Sequence, residues 1–146
     1  MSQVTFRRAG LAAVALASVF VLSACAPGKT PVEHFAGLPP ASEDADAPET
    51  PGTDQAAPIA QWLEQGGKIA VTTFGSSTCP AYGTGIEVVE PRGVGNTIEM
   101  SVRKWDGVCT MDLVPHTTVF WTPMNIATYE DLTVLVEGQE VTVPAK

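Results

Sequence analysis

The chain has 146 residues, eight basic against 16 acidic side chains, a formal charge of −8 and 45% hydrophobic content. That balance excludes a general affinity for nucleic acid and leaves no basic patch for anionic lipid head groups. The length leaves room for one small domain and some appended chain.

Residues 1–24 have the form of a secretory signal. Arg7 and Arg8 give a positive start, and Ala9 to Ala24 form an apolar run, shorter than the roughly 20 residues of a permanent span and ending in small side chains. The run closes on Leu22-Ser23-Ala24-Cys25, which resembles the lipobox of bacterial lipoprotein precursors. The resemblance implies that Cys25 receives a diacylglyceryl thioether and that the chain is cut just before it. An uncleaved signal-anchor helix is the alternative. Ala9-Gly10-Leu11 after the two arginines matches the twin-arginine export signal only in part, so the export route stays open.

The cysteine count agrees with lipidation. Three cysteines in an exported protein leave one odd thiol; a lipid on Cys25 removes it and leaves Cys79 and Cys109 as a pair. Oxidising surroundings outside the membrane make their disulfide the default expectation. Cutting before Cys25 also removes Arg7 and Arg8, so six basic residues face 16 acidic ones and the formal charge becomes −10. Two or three acyl chains, palmitate among them, would hold such a protein durably on the extracytoplasmic face of the cell membrane, where one chain would not.

Residues 25–58 read as the lipidated cysteine and a disordered tether. Seven prolines and the acidic cluster Glu43-Asp44-Ala45-Asp46 leave too little apolar surface to offset ordering. As a coil this stretch would reach roughly 30 Å, and fully extended roughly 100 Å, so the folded part is expected to stand tens of ångströms off the membrane. Val32, Phe35 and Leu38 recur at three-residue spacing, which gives an ordered arm over Val32 to Leu38 as the alternative.

The folded domain is expected over residues 59–146. Ile59, Trp62 and Leu63 lie at i, i+3 and i+4 before Gly66-Gly67, the pattern of a short helix or turn. Beyond it the period is two. Lys68 to Phe74, Gly85 to Val89, Thr97 to Arg103, Thr117 to Trp121, Leu132 to Val136 and Gln139 to Val143 make six candidate strands. Pro91 to Asn96 separates the second from the third, and Glu137-Gly138 is short enough for a tight hairpin. Pro115, Pro123 and Pro144 mark strand ends or edges. The fold class is therefore mainly β: a small antiparallel sandwich or open barrel of about six strands with a short N-terminal helix or turn, stapled by one disulfide. Trp105, Trp121, Phe74 and Phe120 are expected in its core, and a Cys79–Cys109 bridge would add roughly 3.5 to 4 kcal/mol at most.

No constellation in the domain rises to a reaction. Twenty-nine residues separate Cys79 from Cys109, unlike the C-x-x-C of a thiol oxidoreductase. Gly75-Ser76-Ser77-Thr78-Cys79 lacks the G-x-S-x-G elbow, and nothing sets His116 as a base beside it. Cys79, Cys109, His116 and Asp112 are zinc-ligand types without zinc spacing, and Glu130-Asp131 does not form a calcium loop. No catalytic residue, cofactor or metal is expected. Trp62, Tyr82, Trp105, Trp121 and Tyr129 could form a stacking platform for a sugar or peptide, but a domain this small is expected to bury most of them.

The run Thr73-Phe74-Gly75-Ser76-Ser77-Thr78-Cys79-Pro80, with Gly107-Val108-Cys109-Thr110-Met111-Asp112-Leu113-Val114-Pro115 downstream, resembles segments of small exported proteins and lipoproteins of high-G+C Gram-positive bacteria. The resemblance covers about residues 62 to 144. It implies a paired Cys79 and Cys109 and a cell-envelope setting, and it implies no activity. The expected function is a lipid-anchored binding or structural module for an envelope protein or wall-polymer partner. The alternative is an envelope enzyme or assembly factor with a site at Asp112, His116 and the Ser76-Ser77 loop.

Overall fold

The structure is a computed structural model that describes residues 28–40 and 57–146. The expected signal sequence, Cys25 and the acidic cluster at 43–46 lie outside the described residues. Eight strands appear among those described: β1 (Glu33–Ala36), β2 (Ile59–Leu63), β3 (Lys68–Gly75), β4 (Gly83–Glu90), β5 (Thr97–Val102), β6 (Val114–Trp121), β7 (Leu132–Val136) and β8 (Gln139–Val143). They form two four-stranded sheets, ordered β1-β6-β3-β2 and β4-β5-β7-β8, which do not close into a barrel.

Alternation builds the core. Ile69 and Val71 on β3 and Phe120 on β6 face Ile86, Ile98, Met100, Leu132, Val134, Val136 and Val143 of the other sheet, all at most 2% exposed. Gly83 is obligatory at this contact, since a Cβ there would lie 2.6 Å from the Met100 sulfur and 2.7 Å from Phe120 Cζ. Glu137 and Gly138, at φ 49° and 82°, turn β7 into β8 as the two left-handed residues of the expected tight hairpin.

The expected six strands are all present, and two more join them. Ile59–Leu63 is a strand paired with β3 rather than a helix, and only Glu64–Gly66 makes a single 3₁₀ turn. The i, i+3, i+4 spacing misleads because β2 buries residues on both faces. Trp62 packs inward and its indole N–H donates to Pro144 O at 3.0 Å, while Gln61 on the opposite face donates to Pro40 O at 3.2 Å. β5 and β7 run parallel, a departure from the all-antiparallel expectation, because β6 crosses to the other sheet between them.

The tether reading fails for Glu33–Ala36, and the ordered arm takes its place. β1 pairs with β6 along the edge of the first sheet, with Val32 N–H on Val119 O and Gly37 N–H on Pro115 O at 2.8 and 2.9 Å. Upstream, Lys29 O accepts the Ile86 N–H of β4 at 2.8 Å. Residues 28–37 therefore lace the edge of one sheet to the edge of the other. Backbone hydrogen bonds supply this attachment, which hydrophobic composition cannot forecast.

Candidate functional site

Strand directions give the sandwich two distinct ends. β3 finishes, β4 starts, β5 finishes and β6 starts at one end, which gathers residues 76–82 and 103–113. The Cys79–Cys109 disulfide joins these two loops, with Cα atoms 5.6 Å apart. We call this the stapled end.

A polar lattice fixes the loops around the staple. Ser76 Oγ lies 2.7 Å from Thr110 Oγ1, and Thr110 N–H donates to Thr78 Oγ1 at 3.0 Å. Asp112 accepts the Ser77 backbone N–H at 3.1 Å and the Thr110 hydroxyl. The Ser77 and Thr110 hydrogen bonds hold the Asp112 carboxyl down at about 2. Asp112 is thus a tie between the two loops. Trp105 N–H donates to Pro80 O at 2.9 Å, a further cross-loop tie.

Beside the staple stands a column of flat groups. The His34 and Tyr82 rings stack at 4.3 Å, Arg103 lies 5.9 Å from the Tyr82 ring, and its other neighbour is Trp105 at 4.6 Å. His34 Nδ1 and His116 Nε2 are 3.0 Å apart, so one ring gives an N–H and the other a lone pair. Burial, and then the charge of His34, push the His116 pKa below its usual 6.5.

The residues of the enzyme alternative are not drawn together by these bonds. His116 is bonded to His34, Asp112 is engaged with Ser77 and Thr110, and Ser76 and Ser77 point their hydroxyls at Thr110. Among the described residues no cluster of three or more His, Cys, Asp or Glu side chains is arranged to hold a metal ion. No helix among them is long and apolar enough to cross a membrane.

The lattice carries apolar side chains into solvent. Val108 and Met111 are fully exposed, Leu113 is 52% exposed and Trp105 43%. The core role expected for Trp105 and Trp121 is overturned, and Tyr129 too is exposed; of the aromatics that the sequence suggested burying, Trp62 and Phe120 are enclosed. Sequence reading missed His34 altogether, because it lay in the supposed tether. The available signal was arithmetic: the chain has only two histidines, and both meet here.

No protein-family model, curated protein or solved structure matches this chain.

Proposed function

We propose that the protein is a lipid-anchored, non-catalytic binding module on the extracytoplasmic face of a bacterial cell membrane, and that its stapled end grips a protein partner of the envelope. One observation carries the reading: a disulfide and a lattice of cross-loop hydrogen bonds hold Val108, Met111, Leu113 and Trp105 outward in solvent. Apolar groups held rigidly in water cost little further entropy on docking, which is how interface anchors gain affinity. Arg103, stacked on Trp105, adds a cation where the partner would meet it. The lipobox and the resemblance to exported lipoproteins support the setting.

Crosslinking on intact envelopes tests it. The wild-type chain should capture a reproducible partner, and the double variant Val108→Asp, Met111→Asp should lose at least nine-tenths of that capture with an unchanged Tm, since neither side chain packs on the domain. Equal capture by both proteins would reject the stapled end. Turnover of a wall-derived substrate that depends on His116 would reject the non-catalytic reading.

A further inference from the structure

The end opposite the staple has its own exposed apolar surface, and the chain arrives at it. β1 runs antiparallel to β6, so Ala36 lies against His116 near the staple and Glu33 against Val119 toward the far end. Gly28 and Lys29 continue in that direction and line an apolar hollow of about 200 Å³ with Ile86, Val88, Trp121 and Met124. Trp121 is 45% exposed and Met124 75%. The loop carrying Val94, also 75% exposed, is bound to the Met124 loop through Arg92 N–H on Asn125 O at 2.8 Å.

We propose that this Trp121–Met124 end lies on the lipid bilayer surface. The inference rests on the lipid-anchored reading and deepens it. Only Ala26 and Pro27 separate Cys25 from Gly28, so the Cys25 and Gly28 Cα atoms are at most about 11 Å apart. A lipid on Cys25 therefore leaves the hollow no room to stand away from the head groups. The side chains suit that depth. Trp121 is amphipathic, Met124 is flexible and apolar, and Lys29 and Lys68 flank them with long stems and charged tips. Lys29 pairs with Glu87 and Lys68 with Glu64, so the surface carries little net positive charge and the contact does not depend on anionic lipid. β6 alone spans roughly 25 Å at about 3.3 Å per residue, which directs the stapled end outward.

Tryptophan quenching by brominated phosphatidylcholine vesicles tests the contact. It is read on chain with acyl mass on Cys25, and on chain beginning at Cys25 whose free thiol has been coupled to a maleimide phospholipid. In both, brominated lipid should quench a component of the emission that Trp121→Phe removes, whereas Trp105→Phe, at the stapled end, should leave the quenching in place. Equal emission with and without bromine in the coupled chain would overturn the apposition. So would quenching unaltered by Trp121→Phe, or a dimer by sedimentation whose contact shields Trp121 from lipid. Absence of native acyl mass would sink the lipoprotein reading by itself, leaving the coupled chain to decide the contact.

Discussion

His34 and His116 show how two side chains 82 residues apart can clasp an edge strand to a body. Their hydrogen bond needs one free lone pair, so it survives one proton and not two. The groups facing the pair are Tyr82, stacked on His34, and Arg103 beyond it; neither offers an anion to an imidazolium. The folded state holds the His116 pKa below 6.5, so the unfolded chain binds protons more readily. The associated stability is fully present above about 6.5 and is lost as pH falls below it. The protection factors of the Val32 and Gly37 amides, with the intrinsic pH dependence of exchange divided out, should fall several-fold between pH 7 and pH 5, and His34→Ala should lower them already at pH 7 and flatten their pH dependence. Protection factors that do not change with pH in the wild-type protein would refute the clasp. Asn96 is the other decisive residue, at φ 44° and 2% exposure. Its amide donates to Ala127 O and Asp131 O at 3.0 and 3.1 Å and accepts the Ala127 N–H at 2.9 Å. Asn96→Ala leaves these buried groups without partners and should cost about 2 to 3 kcal/mol, lowering Tm by roughly 10 to 20 °C in a thermal melt.

At the scale of elements, what could be read in advance depended on whether side chains or backbone made the attachment. Ile98, Met100 and Val102 alternate with Thr97, Glu99 and Ser101 because one face of β5 is wet, so its strand was legible, and the β7–β8 hairpin was legible through Glu137-Gly138. The disulfide was legible from counting thiols. β2 was not, since cover on its outer face comes from Pro40, a residue far off in sequence. β1 was less legible still: Glu33 and His34 are exposed, and what ties the segment is main-chain pairing to β6. The histidine clasp was hidden for the same reason, being a product of that pairing. The stapled loops were legible as cysteine-bearing turns, but not as a display of apolar side chains, because exposure of Trp105 is set by its N–H on Pro80 O. Reducing the disulfide should lower stability by about 3 kcal/mol in denaturant titration. Because the Ser76, Thr110 and Asp112 ties then hold the loops alone, partner capture should fall along with it. Undiminished capture by the reduced, still folded protein would show that those ties suffice.

For the whole molecule, docking of β1 sets how far the domain stands from any anchor at Cys25. A free stretch from 26 to 58 would give a reach of roughly 30 Å as a coil. With residues 28–37 laced across both sheet edges, the link that remains is Ala26-Pro27. With the proposed lipid on Cys25, the docked arm would make a short, oriented mount, with the Trp121 end inward and the stapled end outward. The same strand that holds the sandwich's edge would then also hold its height, so the two properties would change together. Phe35, opposite Thr117 in the register, is the place to separate them from the core. Proline there has no N–H for the ladder and should release β1, while the buried side chains of β3, β6 and the second sheet stay in place. Neutron reflectometry of the lipid-anchored chain on a supported bilayer reads the result. Wild-type protein density should begin within about 10 Å of the head groups, whereas Phe35→Pro should move it outward by roughly 20 to 30 Å and broaden it. Superimposable profiles, with β1 amide exchange confirming release in the variant, would mean that something other than this strand sets the height.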